Sequence, residues 1–279
     1  MPPGEPAPTI TPSLDPPTPA QASSGWPTPA RLDAPDDGAL WRLYNVLQAS
    51  FTLAWTAGWI SAALVETARR GEPETALTMA RRRWGPGLLH GAGARLEIEG
   101  GDDVDWQQPH LFVCNHQSMI DVPIAFVALR CNVRFIVKRE LTLVPLLGHY
   151  IRTTGMISVD RGNSAHARRS IQTAADRMRA GASVLAFPEG TRSLDGSIGP
   201  FKKGAFVVAI AAQVPVVPVA IEGAQRVLPR DGFQVRPGVV RVRLGSPLPT
   251  AGLRYDDRDL LLDRVRQSLI THHRLIGGS

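Results

Sequence analysis

The chain has 279 residues, enough to bury a sizeable core as one large domain or two small ones. Its net charge is +6 but unevenly placed: Glu5, Asp15, Asp33, Asp36 and Asp37 against Arg31 give residues 1–38 a net −4, leaving +10 on the other 241. A basic body favours anionic partners; with no aromatic RNA-binding box or zinc-finger spacing in the sequence, nucleic acid is not expected among them. The two cysteines, Cys114 and Cys131, have neither metal-ligand spacing nor the number a disulfide framework needs.

Residues 1–38 hold 11 of the 24 prolines, with Ala, Ser, Thr and Gly between them. Such a segment buries too little apolar surface to offset its ordering entropy, so a disordered tail is expected. It lacks the basic and apolar blocks of a signal peptide. Leu43–Val65 is a run of 23 uncharged residues, long enough to span a bilayer. Asn45, Gln48, Thr52 and Thr56, however, form a narrow polar stripe along it, and Trp41, Trp55 and Trp59 suit an interface. A second apolar segment, Thr75–Leu89, carries Arg81, Arg82 and Arg83. Together they predict a membrane-associated helical hairpin over residues 39–93 that dips into one leaflet.

From residue 94 onward strand-like and helix-like runs alternate, which predicts an α/β layered domain over residues 94–279 with a mostly parallel or mixed sheet flanked by helices. Strands are expected at Arg95–Ile98, Leu111–Cys114, Arg134–Val137, Gly155–Val159, Ser183–Phe187, Val216–Ile221 and Val239–Leu244. Helices are expected at Asp121–Leu129, Ala165–Ala180, Gly204–Ala212 and Asp256–Leu275. Asn163 or Ser164 would cap the second of these helices, and Gly181 would stop it. Cys114 reads as a small buried hydrophobe, and His272-His273 as a solvated helix end.

Two short polar motifs follow directly on apolar strands. In Asn115-His116-Gln117-Ser118-Met119-Ile120-Asp121, the histidine leaves the end of a buried strand and the carboxylate opens the next helix. Five residues of regular helix would set these side chains about 140° apart, so they meet only if the chain turns a strand-to-helix corner. Asp121 would then fix the imidazole tautomer and leave the other nitrogen to act as a base. Ser118 lacks the Gly-x-Ser-x-Gly elbow of a nucleophile and reads as a turn residue. The second motif, Phe187-Pro188-Glu189-Gly190-Thr191-Arg192-Ser193, offers a planar guanidinium for bidentate anion binding and a glycine that lets backbone approach a ligand. Lys138 and Arg161 emerge at other strand ends, and Lys138 is a candidate second cation.

His116 to Asp121, the segment Lys138–Gly148, Phe187–Arg192 and the run Val214-Pro215-Val216-Val217-Pro218-Val219 resemble, in order and spacing, the four motifs of the glycerolipid acyltransferases. The similarity is greatest to the bacterial 1-acyl-sn-glycerol-3-phosphate acyltransferases and covers roughly residues 40–250. The resemblance implies transfer of a fatty acyl group from a thioester to the sn-2 hydroxyl of lysophosphatidate, giving phosphatidate. It implies His116 as general base with Asp121 as its partner, and Glu189, Gly190, Thr191 and Arg192 at the glycerol phosphate with Lys138 close by. No cofactor or metal is implied beyond acyl-CoA or acyl-acyl carrier protein as co-substrate, and membrane lipid is the surface partner, at the cytoplasmic face of the inner membrane.

The residues alone leave two alternatives open: another lysolipid acceptor such as a lyso-ornithine lipid, because arginine binds carboxylate as well as phosphate, and a lipid hydrolase or thioesterase in which water replaces the alcohol. The proline-rich segment departs from the family pattern. Deletion of residues 1–38 is expected to leave specific activity nearly intact, checked by assaying the truncated and full chains side by side.

Overall fold

The structure, a computed structural model, describes residues 38–160 and 164–279, with side chains of 164–167 excluded. All but Gly38 of the expected disordered tail, together with Arg161 and the two capping side chains considered at Asn163 and Ser164, lies outside the described residues.

Helix α1 (Ala39–Arg70) ends where Gly71 turns left-handed and donates its N–H to the Thr67 carbonyl at 2.8 Å. Pro73 then opens α2 (Pro73–Met79), which continues through a wide turn at Ala80–Trp84 into α3 (Gly85–Gly91). Three of the four residues in the polar stripe of α1 bond to the rest of the protein. Asn45 accepts the Val235 N–H at 2.8 Å, Thr56 accepts the Trp84 indole N–H at 3.1 Å, and Gln48 donates to the Gly91 carbonyl. Gly87 and Gly91 allow this closeness: a Cβ on Gly87 would lie 2.2 Å from the Trp55 ring and one on Gly91 2.4 Å from Phe51. Among the described residues no helix is long and apolar enough to cross a membrane.

Seven strands follow: β1 (Ala94–Gly100), β2 (Leu111–Cys114), β3 (Val133–Lys138), β4 (Ile157–Val159), β5 (Ser183–Ala186), β6 (Val216–Glu222) and β7 (Gly238–Leu244). Each overlaps a strand expected from the sequence. They form one mixed sheet in the order β1-β7-β6-β2-β5-β3-β4. The block β6, β2, β5, β3 and β4 is parallel; β7 lies antiparallel to β6 and parallel to β1.

The connecting helices are α4 (Asp121–Ala128), α5 (Leu147–Thr153), α6 (Ser164–Arg179), α7 (Gly204–Ala212), the short α8 (Ala224–Val227) and α9 (Arg258–Leu275). The central strands are buried on both faces, which is why they read as unbroken apolar runs. Alternate residues feed two cores. Phe112, Cys114, Leu185 and Val217 pack with Leu77, Leu89 and Ile124 on one side; Leu111, Val113, Val184 and Val216 pack with Met178, Phe206 and Leu269 on the other. Gly181 ends α6 as expected, at φ 95°.

One correction concerns the C-terminus. His273, read as solvated, is 1% exposed, with its Nε2 3.2 Å from Glu222 Oε2 at the end of β6. His272 is half-buried and accepts a hydrogen bond from Arg243 at 3.3 Å. Helix α9 packs on β6 rather than projecting into water, so its polar face finds partners on the sheet.

Asn115, also fully buried, extends the β2–β6 pairing with its side chain: it donates to the Ile221 carbonyl and accepts the Ile221 N–H, both at 2.8 Å. Asn115→Ala strands both backbone groups. It is expected to cost about 2–4 kcal/mol, from the penalty for buried unpaired polar groups, read as a shift in denaturant midpoint.

Candidate active site

Because β2, β5, β3 and β6 are parallel, the four segments leaving them emerge at one end of the sheet, where open α/β folds bind ligands. His116 leaves β2, Lys138 ends β3, the Phe187–Ser193 loop leaves β5 and Glu222 ends β6.

The corner between β2 and α4 brings the histidine and carboxylate together. His116 Nδ1 lies 2.8 Å from Asp121 Oδ2. Asp121 is completely buried, and the same oxygen accepts the backbone N–H groups of Gln117 at 2.7 Å and Ser118 at 2.8 Å. Three donors on one oxygen fix the loop's path and the ring's orientation together. Phe187 stacks against the imidazole, centroids 4.2 Å apart and planes 19° from parallel. The His116 side chain stays 17% exposed, and Nε2 is the ring nitrogen that Asp121 leaves uncommitted. Ser118 is a turn residue: its hydroxyl donates to the Leu228 carbonyl at 2.6 Å and accepts from Ile120 at 3.2 Å. Buried beneath the loop, Cys114 has its thiol pushed well up by burial, then by the charges of Asp121 and Glu189.

The second motif is locked to the first. Gly190 adopts φ 73°, a left-handed conformation that favours glycine, and closes a turn onto Phe187 at 3.0 Å. Glu189 Oε1 accepts the His116 N–H at 2.9 Å and Oε2 accepts the Gly199 N–H at 3.0 Å. Burial raises the Glu189 carboxyl above its usual range, with these two amides opposing the rise. Ser193 donates its backbone N–H to the His116 carbonyl at 2.7 Å. Glu189 thus meets the His116 loop through backbone, while Thr191 is exposed and Arg192 half-buried. The Arg192 guanidinium donates to the Arg230 carbonyl at 2.8 Å. Lys138 is exposed at the end of β3. One strand, β5, separates β3 from β2, so Lys138 and His116 leave the sheet about 10 Å apart.

Three participants escaped the sequence reading. Arg230 faces Arg192, and the buried pair Glu222–His273 lies against Gln117, whose amide nitrogen sits 3.1 Å from His273 Nε2 and 3.1 Å from the Gly196 carbonyl. Their partners lie 38 to 156 positions away, and no local pattern announces them.

A sequence model of the family described as Acyltransferase matches residues 95–222, a span that holds β2 to β6 and the loops carrying His116, Asp121, Lys138 and Glu189–Arg192. The mouse 1-acyl-sn-glycerol-3-phosphate acyltransferase alpha is 32% identical over 246 residues, covering 85% of both chains. The sheep protein of the same name is 36% identical over 185 residues, covering 66% of this chain and 64% of its own length. The crystal structure of the 1-acyl-sn-glycerophosphate (LPA) acyltransferase PlsC from Thermotoga maritima has a similar fold, with a TM-score of 0.68 at 24% identity, over 85% of this chain and 93% of that one. The chain belongs to the 1-acyl-sn-glycerol-3-phosphate acyltransferase family.

Burial works against the Glu222 carboxylate, but the hydrogen bond from His273 and the charge of Arg226 more than offset it and hold the group at about 2 instead of 4.5. With the folded value below the unfolded one, the stabilisation is complete above pH 4.5 and is lost as pH falls toward about 2. Its size is at most on the order of 3 kcal/mol. Glu222→Gln is expected to flatten this acid limb, measured as melting temperature against pH.

Proposed function

We propose that this protein transfers a fatty acyl group from an acyl thioester, carried on coenzyme A or acyl carrier protein, to the sn-2 hydroxyl of lysophosphatidate, forming phosphatidate. The observation that carries this reading is the His116–Asp121 contact: a buried carboxylate holds one imidazole nitrogen at 2.8 Å while the ring edge stays 17% exposed at the ligand-binding end of the sheet. Family membership supplies the substrate class.

His116 Nε2 takes the proton of the acceptor hydroxyl as its oxygen attacks the thioester carbonyl. The tetrahedral intermediate then collapses, the carbon–sulfur bond breaks, and the thiolate leaves with the proton returned from His116. The thioester is already activated, so an oriented alcohol suffices and the enzyme need form no covalent acyl intermediate. Asp121 keeps Nδ1 protonated and the ring in register. Glu189 acts as a strut, joining the His116 amide to the loop at Gly199, and Arg192 binds the acceptor phosphate with Lys138 at the periphery. Oxyanion stabilisation has to come from groups other than the amides of His116, Gln117, Ser118 and Gly190, which are engaged by Glu189, Asp121 and the Phe187 carbonyl.

Residues 39–93 would seat the enzyme on a membrane. With its polar stripe turned into the protein, α1 leaves Leu40, Leu43, Val46, Leu47 and Leu53 exposed. Large apolar side chains near the site residues in sequence are exposed as well: Met119 61%, Leu194 78% and Leu143 77%. Exposed apolar side chains next to polar loops suit an acceptor whose headgroup is charged and whose tail stays in lipid. In this reading residues 94–279 form the catalytic domain, set at the cytoplasmic face of the membrane.

His116→Ala is expected to cut the rate of acyl transfer to lysophosphatidate by about 10²–10⁴-fold with circular dichroism unchanged. A folded variant that retained wild-type turnover in a radiolabelled transfer assay would remove the base from the mechanism.

A further inference from the structure

Helix α9 reaches the site along one line of polar side chains. Asp259, Arg266 and His273 stand two helical turns apart in succession and so share one side of the helix. Asp259 pairs with Lys203 at 2.9 Å in an exposed contact, while His273 meets Glu222 and Gln117 in the core. Between them Arg266, half-buried, donates Nη2 to the Ile198 carbonyl at 3.1 Å and Nε to the Gly199 carbonyl at 3.2 Å. Helix α9 lies beyond residues 95–222, the span matched by the family model.

The first carbonyl that Arg266 holds belongs to the same peptide unit as an N–H of the site. The Ile198 C=O and the Gly199 N–H lie in one plane and, the bond being trans, point in opposite directions. That N–H donates to Glu189 Oε2 at 3.0 Å, and Glu189 Oε1 accepts the His116 N–H at 2.9 Å. One continuous line therefore runs from the guanidinium through a rigid peptide and a carboxylate to the backbone of the base. Residues 187–203, between β5 and α7, are neither helix nor strand, so no ladder of a regular element sets the plane of this peptide. The guanidinium does so by holding two successive carbonyls with a planar fork. Its charge also polarises the peptide, which makes the N–H on the far side a stronger donor.

We infer that Arg266 is a positioning residue for acyl transfer: by holding the 198–199 peptide it aims the Gly199 N–H at Glu189, and Glu189 holds the His116 amide and with it the placement of the base. This rests on the reading that His116 acts as base on a lysolipid hydroxyl. Arg266 touches no reacting atom in this role. Its loss therefore falls on the chemical step and not on the affinity for either substrate.

The test compares wild type with Arg266→Met, Arg266→Lys and Asp259→Asn. Methionine keeps much of the apolar stem and removes both donors; lysine keeps a charged donor for the Ile198 carbonyl. Asp259→Asn loosens another tie of α9 without touching the 198–199 peptide. The readouts are steady-state transfer from acyl-CoA to lysophosphatidate and the amide proton resonances of Gly199 and His116 in isotope-labelled protein. Arg266→Met is expected to lower kcat on the order of tenfold, short of the ~10²-fold that an ångström of misplacement can cost. KM for both substrates is expected to stay unchanged, and both amide protons are expected to shift upfield as their bonds weaken. Lysine is expected to recover most of the rate and of the shifts, and Asp259→Asn to match wild type in both readouts. A loss of kcat with the His116 amide unmoved would mean that Arg266 supports the fold without reaching the base, and would overturn the inference. So would an equal loss in Asp259→Asn, or a change confined to KM. Wild-type protein that acylates no lysolipid would defeat the underlying reading instead, and the amide shifts would still decide whether the relay exists. Should Arg266→Met fail to fold, Arg266→Gln, with a shorter and neutral donor, decides on the same readouts: wild-type kcat and amide positions overturn the inference, and a partial loss of kcat with both amides shifted upholds it.

Discussion

One carboxylate oxygen holds the site together. Asp121 Oδ2 binds the His116 ring and the amides of Gln117 and Ser118, so loop shape and imidazole orientation cannot vary separately. Everything else adds to that fixed corner. Phe187 sets the ring plane from the neighbouring strand, Glu189 ties the His116 amide to Gly199, and Ser193 caps the His116 carbonyl. A side chain positioned in this way loses little entropy when a ligand arrives, because protein groups already restrict it.

The parallel block of the sheet is what gathers these loops. Strands β2, β5, β3 and β6 point their carboxyl ends the same way, so four separated stretches of chain emerge at one end of the sheet. Glu222 and His273 extend the arrangement beneath the loop, where Gln117 lies against both. The C-terminal helix α9 is thereby joined to the His116 loop through buried polar contacts as well as apolar packing.

The sequence revealed those parts whose cause is local. All seven strands were legible: the central ones, buried on both faces, are short apolar runs bounded by turn residues, the edge strand β1 alternates apolar and charged residues, and Leu111–Cys114 matches to the residue. The His116–Asp121 pairing was legible because five-residue spacing and a strand-to-helix corner leave one way for the groups to meet. Arg230 was not, because Leu-Pro-Arg-Asp-Gly reads as an ordinary loop until folding brings it against Arg192. The misreading of His273 has the same origin: a histidine in the last turn of a helix looks solvated unless Glu222 is known to lie across from it. Asn45, Gln48 and Thr56 were noticed as a stripe, yet their partners at Val235, Gly91 and Trp84 come only from tertiary packing.

The stitching of α1 to the body has a consequence for how the enzyme meets its substrate. A helix joined by a flexible tether would let the catalytic body tumble above a surface, its mouth facing lipid only part of the time. Here Asn45 reaches the segment before β7 and Trp55 reaches the carbonyl of Trp84, so helix and body turn as one object. Seating α1 on a bilayer would then set the angle and depth of the cleft as well. On the proposal that α1 seats the enzyme on lipid, exchanging this helix for an unrelated lipid anchor would restore attachment but leave the aim of the active site to chance.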